Sequence, residues 1–460
     1  MDEPVPVLEP VLPRRPFPLR RVVVVLAVVA LAIALGVALF VLTRPAPGIS
    51  EPLRLVVVKT DGSIETTDAL GEVLSGGDAP GYQYQFPAWS PDGSQVAAIG
   101  RSGALVTVDV FDTDPAAPAS PRRIYESDRR PAFYLYWTPD SRFVTFLTAE
   151  PTPDDIALRI APADASAPDE VVRAASPFYW DFVDSSRLLV HTGSTGSEAF
   201  TGEVDLEGDT LEAGTIASGV FRAPAVGSNG SSRAYVVAAG DDPAAGGTLV
   251  VEARDGSARH EIPVGGAAAF GFNPDATRLA FIALDEPADP PTPIPSGALR
   301  TMDVATGDVR TLLDASVLAF FWSPDGKTIA TLDLRPADDT PDPGQAGVMG
   351  LGAVMGTGSI SALPPLAAGT PGIGLHLSFV DAETGSIRSE RDVRVSETFA
   401  FQVLPYFDQY ALSHRFWAPD SSAIVLPLTD EDDLDHVVVI PADGDDPHAV
   451  ATGWVGFWSP

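Results

Sequence analysis

From Leu53 onward, short apolar runs alternate with clusters of turn-forming residues. Gln95–Ile99, Arg142–Leu147 and Thr328–Leu332 are examples, and each follows a short segment that contains Pro and Asp. Runs of this length, bounded by such residues, predict strands rather than helices. The pattern therefore predicts an all-β domain over residues 53–460.

One kind of turn recurs after an aromatic residue and has the pattern Trp-x-Pro-Asp. In Trp89-Ser90-Pro91-Asp92-Gly93, Pro at the second turn position pre-sets φ, Ser at the first can hydrogen-bond back, and Gly suits the fourth. Each copy thus predicts a β-hairpin, and Trp180 is a weaker copy. The motif residues are Trp89, Pro91 and Asp92; Trp137, Pro139 and Asp140; Trp180; Phe272, Pro274 and Asp275; Trp322, Pro324 and Asp325; Trp417, Pro419 and Asp420; and Trp458.

A second kind of hairpin follows each motif, with alternating strands around an Asp-Gly or Thr-Gly turn. Leu249–Arg259 turns at Asp255-Gly256, and Leu377–Arg388 turns at Thr384-Gly385. Two hairpins make a four-stranded unit, and the motif recurs at roughly 40–50 residues, with Val226 as a degenerate copy. This predicts a β-propeller in which the motif tryptophans pack between blades rather than stack on a ligand.

The two ends of the domain complement each other. Leu53–Thr67 is a second hairpin with no first hairpin before it, and Gly453–Ser459 is a first strand with none after it. Together they would form one blade that closes the ring. This favours eight blades; seven is the alternative if the N-terminal hairpin is peripheral.

The pattern Trp-Ser-Pro-Asp-Gly-x-x-Ile-Ala at Trp322–Ala330 resembles the WD40-like, or PD40, repeat of the TolB-type β-propellers. The resemblance covers most of Leu53–Pro460. It implies that the motif residues build blades and do not react, and that the protein is an accessory of envelope processes. Related blades form the gate of prolyl oligopeptidase-like peptidases.

An uncharged apolar run, Val22–Leu42, is long enough to cross a bilayer as a helix. Four arginines precede it and only Arg44 follows closely, so residues 1–21 are expected to form a short cytoplasmic tail. Residues 43–52 are then a linker, and the propeller lies outside the cytoplasm on a single-pass cell-membrane anchor. The alternative is a cleaved signal peptide, whose apolar region is usually shorter.

Charge and composition exclude several classes of function. The 29 basic and 62 acidic residues give a formal net charge of −33, which argues against nucleic-acid binding because phosphates must be neutralised by Lys and Arg. The chain has no cysteine, so disulfides, thiol catalysis and cysteine metal sites are excluded.

Residues 335–374 interrupt the repeat with a segment rich in Gly, Ala and Pro. From Pro343 to Val380 the sequence has no Asp, Glu, Lys or Arg. We interpret the segment as an inter-strand insertion; the alternative is an apolar loop that caps the channel or contacts a partner.

Motifs of known chemistry are scarce. The sequence has no Gly-x-Ser-x-Gly elbow, no P-loop and no His-x-x-x-His pair. The run Asp430–Asp435 could suggest calcium, but it lacks the glycine of a calcium loop and is interpreted as a solvated turn. The sequence therefore predicts no catalytic, cofactor-binding or metal-binding residue and no cofactor.

These observations predict a membrane-anchored, extracytoplasmic β-propeller that acts as a non-catalytic scaffold of the cell envelope. The expected partner is a protein, a peptide or a glycan, and not nucleic acid. The alternative function is a propeller hydrolase or lactonase with a metal or acid site in its central channel.

Overall fold

The structure is a computed structural model, and the chain divides into two units, Met1–Pro52 and Leu53–Pro460. It describes residues 53–77, 80–116, 120–151, 156–193, 200–212, 223–228, 230–239, 246–287, 294–334 and 372–460. The predicted tail (1–21), membrane segment (22–42) and linker (43–52) lie outside these ranges. Within them, no helix has the length and apolar character that a membrane crossing requires.

Three strands begin the second unit and are followed by four separate four-stranded antiparallel sheets. The first three strands are β1 (Arg54–Lys59), β2 (Ile64–Asp68) and β3 (Val73–Gly77). The first sheet contains β4 (Gln83–Trp89), β5 (Gln95–Ser102), β6 (Leu105–Asp112) and β7 (Arg122–Ser127). The second contains β8 (Ala132–Trp137), β9 (Phe143–Ala149), β10 (Ile156–Pro162) and β11 (Glu170–Ala174). The third contains β12 (Phe178–Asp184), β13 (Arg187–Thr192), β14 (Phe200–Asp205) and β15 (Thr210–Glu212). The fourth contains β16 (Ala225–Val226), β17 (Ser232–Ala238), β18 (Gly247–Ala253) and β19 (Arg259–Val264).

The rest of the chain forms a thirteen-stranded sheet that also includes β1, β2 and β3. Its other strands are β20 (Ala268–Phe272), β21 (Arg278–Ala283), β22 (Gly297–Asp303), β23 (Val309–Trp322), β24 (Thr328–Asp333), β25 (Ile373–Asp381), β26 (Ile387–Val395), β27 (Ala423–Thr429), β28 (Asp435–Pro441) and β29 (His448–Trp458). The sheet is continuous because β23 and β29 are long enough to pair with one neighbour in their first half and with another in their second half.

The two ends of the unit pair with each other, as the sequence predicts. Leu55 on β1 lies opposite Trp458 on β29, and the register runs antiparallel to Val58 opposite Val455. The C-terminal half of β29 is thus the first strand of a sheet completed by β1, β2 and β3.

Indole hydrogen bonds connect successive copies of the motif. Trp89 Nε1 donates to the carbonyl of Phe457 at 3.1 Å, and Trp137 Nε1 donates to the carbonyl of Ala88 at 2.9 Å. Trp322 and Trp417 repeat the bond, to Gly271 and Phe321 respectively. In each case the acceptor directly precedes another motif aromatic. The predicted all-β fold with four-stranded antiparallel sheets is therefore confirmed and is consistent with a propeller.

Trp180 does not occupy the position that the sequence assigned to it. The other motif aromatics pair with the residue seven positions on, as Trp137 does with Val144. In the third sheet a tighter turn pairs Phe182 with Leu188, so Phe182 takes the motif position and Trp180 lies two residues earlier. The missing Pro-Asp sequence explains the shorter turn.

A helical segment, residues 399–413, separates β26 from the next motif tryptophan. It consists of a π-helical turn (Phe399–Val403), a 3-10 turn (Leu404–Tyr406) and the short helix α1 (Phe407–Ser413). We call it the central helical segment, because its contacts reach the first strands of several sheets. The sequence does not predict it.

Candidate binding site

The central helical segment is fixed to the second and third sheets through Gln409, which is buried. Its side-chain amide donates to the carbonyl of Trp180 at 3.0 Å, and its side-chain oxygen accepts from the Trp180 amide at 3.3 Å. The hydroxyl of Tyr134 donates to the Gln409 carbonyl at 2.9 Å. The Gln409 side chain thus pairs with both backbone polar groups of Trp180, while Gln409 bonds the Tyr134 hydroxyl through its main-chain carbonyl and its side-chain amide.

Aromatic side chains of the segment, and of Phe416 just after it, pack against other first strands. Phe407 packs edge-on against Phe320, with ring centroids 5.3 Å apart, and Phe416 lies 4.4 Å from Phe321. Phe416 also contacts Phe457 of the closing strand. The segment therefore contacts first strands from both halves of the chain and lies where they converge.

His414 follows the helix directly and is buried among aromatic rings. Its Nδ1 lies 2.6 Å from the hydroxyl of Ser413, and its Nε2 lies 3.4 Å from the carbonyl of Phe86. Burial lowers the pKa of His414 to about 3, so the ring is neutral near pH 7. Neutral imidazole with Nε2–H toward Phe86 leaves Nδ1 to accept from Ser413.

Asp181 is the second unusual titratable group in this region and is only 4% exposed. Its oxygens accept from the amides of Val226 and Phe182, at 2.7 and 2.8 Å, and from the hydroxyl of Tyr136 at 3.2 Å. Burial raises its pKa to about 7, although the two amide bonds act in the opposite direction. Asp181 thus joins the third sheet to the fourth.

A pocket of about 280 Å³ opens beside the central helical segment. Aromatic rings form much of its wall, and its charged groups come from α1 and the residues after it. Its lining includes Phe272, Trp322, Phe407, Asp408, Arg415 and Trp417. Apolar walls with few polar groups are typical of ligand sites, and this volume lies just below their usual range of about 300–1,000 Å³.

Arg415 is the pocket's cation. The residue keeps substantial exposure within the pocket, yet protein surrounds the guanidinium closely enough that desolvation lowers the pKa of Arg415, against the opposing effect of Tyr136. Within the described ranges, no Asp or Glu forms an ion pair with it. By contrast, buried Glu203 contacts three arginines: Arg187, Arg233 and Arg254.

The motif aspartates named from the sequence fix the turns of the repeat. In the first motif, the Asp92 carboxylate accepts from the hydroxyl of Ser90 at 2.7 Å and from the amide of Ser94 at 3.0 Å, which fixes the turn. Asp140, Asp275, Asp325 and Asp420 accept equivalent bonds from the residue two positions on. Among the motif residues, Phe272, Pro274, Trp322, Pro324 and Trp417 also line the pocket.

The remaining sequence-based interpretations have different outcomes. Most of the predicted insertion lies outside the described residues, and β25 begins at Ile373, within the last two residues of its predicted range. Asp430 caps the turn between β27 and β28 by accepting from the amides of Asp432 and Leu434, as expected of a solvated turn. The described residues contain no group of three or more His, Asp or Glu side chains placed to hold a metal.

Sequence reasoning missed Gln409, Arg415 and the pocket. The available signal was the long interval between Trp322 and Trp417, about twice the usual repeat. The extra length of this interval was interpreted as the Gly-rich insertion alone. Aromatic residues around Phe407 also indicated a packed element.

Comparisons with known proteins bear on the fold. No family model matches the sequence, and no curated protein matches it either. A solved eukaryotic initiation factor is 12% identical with a TM-score of 0.52, covering 89% of this chain and 99% of that one. A prolyl endopeptidase is 8% identical with a TM-score of 0.50, covering 82% of this chain and 50% of that one. TolB from Acinetobacter baumannii is 14% identical with a TM-score of 0.37, covering 84% and 68%.

The likenesses to the initiation factor and to the endopeptidase agree with the fold described above. At such identities they concern the fold alone, since one fold hosts many functions. The function therefore has to be argued from the site.

Proposed function

We propose that this protein is a non-catalytic binding module, a membrane-anchored propeller that acts as a scaffold of the cell envelope. The observation that carries the proposal is the pocket beside the central helical segment, where aromatic rings lie beside Arg415, which forms no ion pair with a described residue. Rigid aromatic walls and a fixed cation are suited to recognition, because little order has to be imposed on binding. The partner would be a protein, a peptide or a glycan.

The location follows from the sequence. The uncharged run Val22–Leu42 and the arginines before it support a single-pass anchor with the propeller outside the cytoplasm. The acidic composition supports a soluble surface that does not bind nucleic acid.

We also infer eight blades. The four separate sheets supply four units, and the thirteen-stranded sheet divides into four more at the midpoints of β23 and β29 and at the single β26–β27 pairing. In this division Trp417, bridged to Ile424, supplies the first strand of the seventh unit. The closing sheet of β29, β1, β2 and β3 is the eighth.

The test is crosslinking of the tagged full-length protein in native membranes, followed by mass spectrometry of the co-purifying proteins. The control is the same anchor, residues 1–52, carrying the tag without the propeller. We expect an envelope protein or peptide to be captured only with the propeller present. Capture of the same set by the anchor alone would contradict the proposal.

A second candidate function is a hydrolase or lactonase, and Asp181 is the observation that favours it. A carboxyl group with a pKa near 7 can act as a general acid or base. Purified protein would be assayed on ester, lactone and glycoside panels beside Asp181→Asn. Turnover lost in that variant would support the enzyme, whereas equal background rates would leave the binding role.

A further inference from the structure

Arg415 differs from most arginines of the described chain in having no acidic partner. The protein carries a net charge of −33, and ion pairs hold Arg122, Arg159, Arg254 and Arg388 among others. A guanidinium that is partly desolvated and unpaired favours an anion that can complete its hydrogen bonding.

The surroundings of Arg415 limit what that anion can be. Phe272, Trp322 and Trp417 line the same pocket, so a ligand must present a flat apolar group to the walls. Asp408, the other charged lining residue, is buried and forms no ion pair with Arg415. A hydrated inorganic anion would leave the aromatic walls without a partner, whereas a carboxylate attached to an aromatic group would satisfy both.

We propose that this pocket binds a carboxylate carried on an aromatic group, with the carboxylate on Arg415 and the ring between the aromatic walls. The volume of about 280 Å³ fits one ring rather than a larger ligand. Two sources share this chemistry: the C-terminal residue of a polypeptide ending in an aromatic side chain, and a free aromatic acid. This inference rests on the proposed binding role and specifies its ligand class.

The guanidinium can form two parallel hydrogen bonds with a carboxylate, which a terminal amide cannot reproduce. Loss of a charge-assisted bond of this kind is expected to weaken binding by about tenfold or more. The aromatic walls would contribute to the binding of both the acid and the amide. The difference between acid and amide therefore isolates the role of Arg415.

The experiment is calorimetry of the detergent-solubilised full-length protein with three probes. They are an acetylated pentapeptide ending in phenylalanine with a free carboxylate, the same peptide as its C-terminal amide, and 3-phenylpropionate. We expect the free-acid form to bind about tenfold or more tightly than the amide. Tighter binding of the peptide acid identifies a polypeptide terminus, and equal or tighter binding of 3-phenylpropionate identifies a free acid.

Three variants sharpen the test. Arg415→Gln should abolish the preference for the acid, Arg415→Lys should retain part of it, and Arg129→Gln, at an exposed turn outside the pocket, should behave as the parent. Thermal unfolding of each variant checks that the fold persists. Equal affinity for acid and amide, no binding of either acid, or an unchanged preference in Arg415→Gln would overturn the proposal.

Failure of this inference is distinguishable from failure of the binding role. If the full-length protein captures an envelope partner and Arg415→Gln captures it equally, the propeller binds through another surface. If neither captures a partner and no probe binds, both proposals fail.

Discussion

At the scale of single residues, the turn of the repeat places one backbone position in the left-handed region. Gly93 has φ of 71° and Gly326 of 68°, while Ser141, Ala276 and Ser421 adopt similar values with a side chain. Only glycine takes this conformation without steric cost. The repeat therefore contains both favourable and strained copies of the same turn.

We predict opposite effects of exchanging glycine and alanine at this position. Gly326→Ala should lower the free energy of unfolding by about 1 kcal/mol, and Ala276→Gly should raise it by up to about 1 kcal/mol. The nearest atom to an added Cβ at Gly326 is Pro274 Cδ at 3.4 Å, so backbone strain dominates over a clash. Denaturant titration measures both; changes of the same sign would contradict the explanation.

Asp181 should make stability fall as the pH rises. Its pKa is raised from about 4 in the unfolded chain to about 7, so the folded state holds the proton more tightly. The stabilisation is complete below about pH 4 and is lost through pH 7, by roughly 4 kcal/mol at most. The difference in the free energy of unfolding between Asp181→Asn and the parent should change across pH 4–7. A constant difference would contradict this prediction.

His414 should act in the opposite direction. Its pKa is lowered from 6.5 to about 3, so the unfolded state binds the proton more tightly and stability is lost as the pH falls below about 6.5. Thermal unfolding of His414→Gln should therefore show less acid destabilisation between pH 6.5 and pH 4 than the parent. His436→Gln is the matched control, because His436 is only half-buried and pairs with Asp430 in a loop.

At the scale of elements, the central helical segment replaces strand pairing with side-chain contacts. It joins the sheets through Gln409, Tyr134 and the aromatic contacts of Phe407. Its helices are too short to be stable alone, so their conformation depends on this packing. The segment is thus both a product of the surrounding strands and a wall of the pocket.

Gln409→Ala should destabilise the protein by about 2–3 kcal/mol. The change leaves the Trp180 amide and carbonyl without their buried partner, which costs more than the bonds themselves contribute. Gln402→Ala in the same segment is the control, because the Gln402 side-chain oxygen has no hydrogen-bond partner among the described residues. Equal losses in the two variants would show that the bonds of Gln409 are not the cause.

At the scale of the whole molecule, strand pairing joins the two ends of the second unit. The pairing of β1 with β29 joins residues about 400 positions apart in the chain, and the indole of Trp89 bonds across it to Phe457. A non-local closure of this kind is expected to make folding cooperative and slow.

Removal of residues 453–460 should lower the melting temperature by more than about 10 °C or prevent folding, because β1 loses its partner and becomes an exposed edge. Removal of Pro460 alone leaves the pairing intact and is the control. Thermal unfolding and size-exclusion chromatography would measure the effect. A truncated protein as stable as the parent would show that the closure contributes little.

Much of the architecture could be predicted because its causes are local. Apolar runs of strand length, Pro-Asp turns and Asp-Gly turns act within a few residues of each other, so they can be read in sequence order. The pairing of Leu53–Thr67 with Gly453–Ser459 was predictable as well, since each end lacked what the other supplied. Trp180 was placed wrongly because the register of a hairpin depends on the length of its turn.

The candidate site could not be predicted in the same way. Gln409 contacts Trp180, 229 positions away, and Arg415 lines a pocket with Phe272 and Val226. Neither residue lies in a recognisable motif. Their environment comes from strands that are far apart in the sequence and meet only when the ring has formed.

The strands, the turns, the repeat and the charge follow from local conformational preferences and composition, so they could be predicted from the amino-acid sequence. The burial of Asp181 and His414, and the position of Arg415 in an aromatic pocket with no acidic partner among the described residues, depend on the tertiary structure. Burial, desolvation and the convergence of distant strands are properties of packing, and packing joins residues that the sequence keeps far apart.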